Sequence, residues 1–395
     1  MNLVISGGWS YGNIGDEVIA KSTIELFNKS FPNSKIKYTS YCLDDFKKQH
    51  QIAAIDSVHK IIENKVKKID DFKDIIDNLQ KFNLNNYSDN FDENTLFIMS
   101  GGGYFSESWI SQFVARLIEI HIAKNKGAKI AIIGQSIGPV YSSLGKKLLI
   151  EMFNLCDYIS VRDLSTKNFL ESLNLNVEVK CHPDLAITIS DYTKKSDNED
   201  YINIMPAAYS SYRGIDCKKR YKIIEKIRKR LTFSGINYKI QWVKIVKRIS
   251  SKHKIKFVMS VNWKWDKDFV EYLIKKAKLQ DYELVFCENA EDMCQHLSMG
   301  KMIISTKMHP IIVSISYNIP AIAISYDFKV DNFMNLINKD EMCFKNNEIN
   351  SKKIVNLLEE NLDDNKKKEL DCTYLKKQVY SMIEEIKDKF EKKES

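Results

Sequence analysis

The sequence predicts an α/β protein with parallel sheets, divided into two domains. Three observations carry that prediction. The chain has 395 residues, which suits two domains of ordinary size better than one core. Of its 14 glycines, 11 fall in the first 145 residues and follow apolar, strand-like runs. Each such glycine loop is followed by apolar residues at helical spacing, and strand, loop and helix repeated in order is the pattern of a parallel sheet.

Taken in order, Leu3 to Ser6 leads into Gly7-Gly8-Trp9-Ser10-Tyr11-Gly12-Asn13-Ile14-Gly15-Asp16-Glu17, and Val18 to Phe27 has helical spacing. Thr95 to Ser100 leads into Gly101-Gly102-Gly103, followed by helical Trp109 to Ala123. Lys129 to Ile133 leads into Gly134-Gln135-Ser136-Ile137-Gly138-Pro139. Tyr158 to Val161 continues the series, Arg162-Asp163 opens a helix, and Val177 to Cys181 closes it. A polar stretch, Asp191 to Tyr201, then breaks the pattern. A second series follows: Tyr201 to Met205, Ile255 to Ser260, Leu284 to Cys287, Met302 to Ser305 and Ala321 to Ser325. From about Ser351 the chain is rich in Lys, Glu and Leu at helical spacing. The expected domains are therefore 1–190, 200–350 and a helical tail over 351–395. Two Rossmann-like domains facing across a cleft, with a terminal helix, suggest a glycosyltransferase-B-like architecture. In such sheets ligands sit at the carboxyl ends of the strands, where these loops lie.

Composition excludes several classes. Apolar residues are 44% and charged residues 28% of the chain, a globular mixture rather than a disordered or fibrous one. No apolar run reaches the roughly 18 residues needed to span a bilayer. The first residues enter a strand with no basic leader or cleavage site, so a cytoplasmic location is expected. The eight cysteines lack paired spacing and read as thiols in a reducing compartment. A net charge of +8, from 60 basic and 52 acidic residues, permits an anionic partner without demonstrating one.

Chemistry concentrates in a few places. Ser305-Thr306-Lys307-Met308-His309-Pro310 follows a strand, and Pro310 suits a first helical turn. Lys307 and His309 are then expected in the connecting loop, beside a helix N-terminus that attracts anions. A capping histidine at an ordinary strand–helix turn is the plainer alternative. Lys329, after the strand Ala321 to Ser325, is a second cation for the same edge or else a solvated lysine. The loop Gly12 to Glu17 lacks the glycine spacing of a dinucleotide fingerprint. Its acids would repel a phosphate, so a hydroxyl-rich ligand suits it better. Asn13 and Asp16 could accept hydrogen bonds from sugar hydroxyls, and Asp16 could serve as general base; an N-cap aspartate is the structural alternative. Gly101 to Gly103 offers backbone N–H groups and close approach to a ligand. Arg162-Asp163 reads as a charge pair at a helix start. Cys181-His182-Pro183-Asp184 has the wrong spacing for zinc, and no metal is expected. The basic stretch Lys218 to Lys256 reads as a helix with a solvated cationic face, or as a face resting on anionic lipid. No recognition motif accompanies it, which disfavours nucleic acid.

Together these segments resemble the polysaccharide pyruvyl transferase family. The matching pieces are Gly12 to Glu17, Gly101 to Gly103, Gly134 to Pro139, Val161-Arg162-Asp163 with Ser165, Lys307-Met308-His309, Pro320, and Ser325 to Val330. The resemblance implies transfer of the enolpyruvyl carbons of phosphoenolpyruvate to two sugar hydroxyls, giving a cyclic ketal on a capsule, exopolysaccharide or cell-wall glycan. It implies no cofactor beyond phosphoenolpyruvate as donor substrate. The acceptor is expected to be a glycan, free or lipid-linked, and the chain to be cytoplasmic or peripheral at the inner face of the plasma membrane. His309 and Asp16 become the catalytic candidates. Lys307, Lys329, Arg213, Asn13, Gly12, Gly15, Gly101, Gly102, Gly103 and Gln135 become the substrate-binding candidates. Two departures stand out. The family usually has Arg-Leu-His where this chain has Lys307-Met308-His309, and lysine lacks the bidentate fork of arginine. The family often places an arginine after the strand that opens the second domain, for which Arg213 is the nearest candidate. A nucleotide-sugar glycosyltransferase of the same architecture, or a glycan-binding relative without catalysis, are the alternative readings.

Overall fold

A computed structural model describes residues 1–8, 13–195, 199–208, 233–260, 264–363 and 371–391. Among them, the apolar runs form two sheets in which every strand pair is parallel. The first sheet contains β1 (Asn2–Ser6), β2 (Lys35–Ser40), β3 (Ala53–Asp56), β4 (Thr95–Met99), β5 (Gly102–Phe105), β6 (Lys129–Ile137), β7 (Tyr158–Val161) and β8 (Val179–Cys181). Its order is β3-β2-β1-β4-β6-β7-β8, with β5 paired to β6. The second contains β9 (Tyr201–Met205), β10 (Lys254–Ser260), β11 (Glu283–Cys287), β12 (Met302–Ser305), β13 (Ala321–Ser325) and β14 (Cys343–Lys345), in the order β11-β10-β9-β12-β13-β14.

Both orders are Rossmann-like. The chain builds outward from the first strand, returns, and builds outward on the other side. The reversal leaves a switch point between β1 and β4 in one sheet and between β9 and β12 in the other, and ligands of this fold bind at the carboxyl ends of such strands. β1 and β4 are buried on both faces, Leu3, Ile5, Leu96, Phe97 and Ile98 completely, which is why they read as unbroken apolar runs.

The chain forms two compact units, Met1–Leu185 with Tyr374–Ser395, and Ala186–Thr373. In the first lie α1 (Ile14–Ser30), α2 (Leu43–Gln49), α3 (Ile110–Asn125) and α4 (Leu164–Glu171). In the second lie α5 (Phe233–Ser250), α6 (Lys264–Ala277), α7 (Met308–Ser316), α8 (Phe328–Leu336) and α9 (Ser351–Leu362). The tail divides. Gln241 of α5 accepts the Ser351 N–H of α9 at 2.9 Å, within the second unit. The last helix, α10 (Thr373–Glu391), returns to the first. Its Glu385 accepts hydrogen bonds from Tyr158 at 2.8 Å and Lys180 at 2.9 Å.

Two local expectations change. Gly134 to Ile137 continues β6 rather than forming a loop, because Gly134 takes a φ of +64° and lets the strand carry on through an irregular register. His309 is the second residue of α7 rather than part of the connection. The basic helix α5 buries Trp242, Ile245, Val246 and Ile249 completely in the core, so those side chains are not available to lipid. Its solvent face carries Lys244, Lys247 and Arg248 together with the exposed Ile236 and Ile240. The described cysteines are free thiols, and no described helix is long and apolar enough to cross a membrane.

Candidate functional site

At the first switch point, β1 runs through Gly7 and Gly8 toward α1. Asn13 is the N-cap of α1, and its Oδ1 accepts the Gly15 N–H at 3.2 Å. The cap is therefore Asn13 and not Asp16. Asp16 stands half-buried in the first turn, where its negative charge favours the protonated, cationic Arg162 guanidinium. Its neighbour Glu17 is only 7% exposed. Burial first, then the charges of Asp16 and of Asp45 on α2, push its carboxyl up to about 7. Glu17 thus carries less than a full charge near neutrality and repels a phosphate less than a fully ionised acid would.

The glycines opposite have packing reasons of their own. A Cβ at Gly101 would lie 2.9 Å from Ile19 Cγ2 and 3.1 Å from the Gly134 carbonyl oxygen. Gly102 takes a φ of +143°, and a Cβ there would strike the Tyr104 ring. Gly103 is half-buried in β5, and Gly15 is buried in α1. Gln135 is fully buried, and its Nε2 donates to the Ser100 carbonyl. It stands behind the glycine turn as a brace rather than at a surface a ligand could reach.

A buried charge network not anticipated from sequence supports this edge. Arg116 and Glu119, both fully buried on α3, pair at 2.7 Å. Glu119 also accepts the Ser6 hydroxyl at 2.8 Å, and Arg116 Nη2 donates to the Gly7 carbonyl at 2.9 Å. The only signal was an Arg and a Glu three residues apart in an apolar helix. A second network joins Arg162 to Asp184 at 2.5 Å and to Ser136 Oγ at 2.7 Å. Arg162 therefore pairs with Asp184 from the Cys181–Asp184 segment and not with Asp163. Asp163 caps α4 by accepting the Thr166 N–H at 2.8 Å. Burial alone would raise its carboxyl, but hydrogen bonds from Ser165, Ser136 and Thr166 hold it below the usual range. His182 Nδ1 shares a 2.8 Å hydrogen bond with Ser160. Among the described residues no cluster of three or more metal-ligating side chains forms.

At the second switch point, β12 ends at Ser305 and Lys307 is the N-cap of α7. Ser305 Oγ accepts the Lys307 N–H at 2.9 Å, and the Thr306 N–H reaches the Met205 carbonyl at the end of β9 at 3.2 Å. Lys307 Nζ lies 2.6 Å from Asp266 Oδ2. Asp266, on the first turn of α6, is fully buried, and its Oδ1 accepts the Ala208 N–H at 2.8 Å. Burial lowers the Lys307 pKa from its ordinary value, and Asp266 works against that fall. His309 stands half-buried in the first turn of α7. On the adjacent strand, β13 leads into α8, where Asp327 caps the helix and accepts the Lys329 N–H at 3.1 Å. Lys307, His309 and Lys329 thus open two neighbouring helices at the carboxyl ends of two paired strands. Gly12 and Arg213 lie outside the described residues.

Comparison with known proteins bears on both fold and family. A family model described as polysaccharide pyruvyl transferase matches residues 13–328. No curated protein matches in sequence. Among solved structures, the UDP-GlcNAc 2-epimerase of Neisseria meningitidis is similar at a TM-score of 0.58 and 11% identity, over 99% of this chain and 100% of that one. A putative UDP-N-acetylglucosamine 2-epimerase from Listeria monocytogenes gives 0.57 and 10%, over 100% and 97%. A glycosyltransferase from Rickettsia africae gives 0.53 and 14%, over 99% of each chain. At such identities the likeness carries the glycosyltransferase-B-like fold and nothing of the chemistry.

Proposed function

This chain belongs to the polysaccharide pyruvyl transferase family, and we propose that it transfers the enolpyruvyl carbons of phosphoenolpyruvate to two hydroxyls of one sugar. The product is a cyclic ketal on a capsule, exopolysaccharide or cell-wall glycan. The observation that carries this reading is the pairing of Lys307 with His309 at the N-terminus of α7, at the switch point of the second sheet. A cation, an imidazole and a helix N-terminus suit a small dianionic acid.

In the proposed reaction phosphoenolpyruvate binds to the second unit, its phosphate or carboxylate at Lys307 and His309, with Lys329 or Arg213 assisting. His309 delivers a proton to the methylene carbon, which becomes a methyl group, and positive charge develops at the phosphate-bearing carbon. A sugar hydroxyl, held by Asn13, loses its proton to Asp16, and its oxygen bonds to that carbon. The oxygen of the second hydroxyl then forms the second bond as the carbon–oxygen bond to phosphate breaks. Inorganic phosphate leaves, and the second hydroxyl proton passes to the base or the departing phosphate. Fixing both reactants contributes orientation, and the cations stabilise the charge on the leaving group. The scheme calls on no cofactor.

The test is to incubate the protein with phosphoenolpyruvate, sugar nucleotides and a panel of free and lipid-linked glycans, following phosphate, nucleotide and product mass. Phosphate release with the mass gain of a pyruvate ketal is the expected outcome. Nucleotide release would replace it with glycosyl transfer, and glycan binding with neither product would make the chain a binding protein.

A further inference from the structure

We propose that Asp266 is the positioning residue of the donor site, holding the Lys307 side chain at the switch point of the second sheet as the ammonium that the donor anion meets. The inference rests on the reading of the second unit as the phosphoenolpyruvate side. It assigns a role to a residue that lies outside every motif of the resemblance.

The geometry is that of a junction. The carboxylate of Asp266 is completely shielded from solvent. One oxygen takes the backbone N–H of Ala208, just beyond β9, at 2.8 Å. The other lies 2.6 Å from Lys307 Nζ, at the cap of α7. A single side chain of α6 therefore ties together the three segments around the switch point between β9 and β12. An ammonium carries three N–H donors and can engage more than one acceptor at a time.

The chemistry explains why a lysine here needs such a partner. An arginine fork is planar and permanently charged, whereas a lysine is a flexible point charge that loses its proton when desolvated. Lys307 is largely buried and sits at a helix N-terminus, where the dipole disfavours a cation. Asp266 opposes both effects. It also fixes the direction of a side chain whose own geometry would not. Around Lys307, β9 and β12 contribute no charge over Met205 to Ala208 or Met302 to Thr306. The described groups of the neighbouring elements are Lys264, Lys267 and Asp268 on α6, His309 on α7, and Asp327 and Lys329 at the start of α8.

Asp266→Asn is the discriminating variant, because the amide oxygen can still accept the Ala208 N–H while the charge is gone. A purely structural junction would tolerate it. A positioning role would not: the KM for phosphoenolpyruvate rises about tenfold, the KM for the glycan stays, and the alkaline limb of kcat/KM moves down by about one pH unit or more. Lys307→Arg removes that alkaline limb, and the Asp266→Asn/Lys307→Arg pair lacks it too. Competitive acetylation of the intact protein from neutral to alkaline pH, read by peptide mass spectrometry, follows the Lys307 amine with no substrate present. Its midpoint falls in Asp266→Asn. Should that variant fail to fold, Asp266→Glu displaces the carboxylate by one methylene and is expected to raise the donor KM with kcat held. An unmoved limb and an unmoved labelling midpoint overturn the inference, as does an Asp266→Glu variant with the wild-type KM. A shifted midpoint in a protein that never consumes phosphoenolpyruvate supports the positioning of Lys307 and overturns the donor assignment instead. Turnover with an unshifted midpoint does the reverse.

Discussion

Two helices of this chain begin at equivalent places and carry opposite charge. α1 starts beside the switch point of the first sheet with Asn13, Asp16 and Glu17; α7 starts beside that of the second with Lys307 and His309. A helix N-terminus carries the positive end of the dipole, so acids belong in its first turn and cations do not. Asp16 of α1 therefore has a sufficient reason in helix stability alone. The Lys307 ammonium at α7 does not, and a local preference broken in this way marks a functional position more strongly than one obeyed. The supports differ accordingly. Behind α1, Arg116 holds the carbonyl of Gly7, so the buried charge fixes backbone. Behind α7, Asp266 holds Lys307 itself, so the buried charge fixes a side chain and its ionisation.

The largest expected effect breaks the basic side of this comparison. Replacing His309 by Ala should lower turnover by at least about a hundredfold, the range for loss of a general acid. The melting temperature should change little, because the side chain is only half-buried. Phosphate release in the presence of glycan is the measurement, and a fully active variant would remove His309 from the mechanism.

On the acidic side the largest effect falls on stability. Arg116→Met leaves Glu119 buried without its cation, and breaking such a pair costs about 3–5 kcal/mol. Arg116→Met with Glu119→Leu should recover much of that loss, because an apolar pair needs no partner. Urea unfolding of both variants checks it. Glu17→Gln acts in the opposite direction and depends on pH. The Glu17 carboxyl is raised from 4.5 to about 7, so the folded state holds its proton where the unfolded chain has released it. Wild-type stability therefore falls as pH rises through that interval. The shift corresponds to roughly 3 kcal/mol. Glu17→Gln should gain up to about that much above neutrality and nothing below the ordinary carboxylate range. Equal gains at both ends would mean that the acid is not titrating there.

Much of this frame could be read from the chain, and what escaped did so for physical reasons. β1, β4, β9 and β12 announce themselves as apolar runs because both faces are covered. β2 (Lys35–Ser40) alternates polar and apolar, and β14 (Cys343–Lys345) has three residues, so neither shows a distinctive run. Pro310 in a first turn pointed to a helix start, but the histidine before it belongs to that turn rather than to the loop. The packing role of the glycines at 101 and 102 stayed hidden, because a sequence does not reveal that Ile19, Gly134 and Tyr104 press on them. Least legible were the ion pairs. Arg162 with Asp184 and Lys307 with Asp266 join residues far apart in sequence, and no periodicity connects them.

The smallest effect concerns the cationic side of α5, which lies in the same unit as the basic helix start but has a different standing. Trp242, Ile245, Val246 and Ile249 are spent in the core, and Ile236 and Ile240 alone of its large apolar side chains stand exposed among the described residues, so contact with an anionic membrane would rest mainly on Lys244, Lys247 and Arg248. Each such charge contributes about 1 kcal/mol near an anionic surface, and salt screens it over a Debye length of about 8 Å at physiological strength. Co-sedimentation with anionic liposomes should therefore be weak at low salt and absent at physiological salt. Lys244→Glu with Lys247→Glu should remove the remainder without changing turnover on a soluble glycan. Binding that survives both changes would have to come from another surface. A loss of turnover in the same variant would show that the cations of α5 and those of α7 act on one ligand, and the distinction between a solvated face and a site would then fail within the second unit.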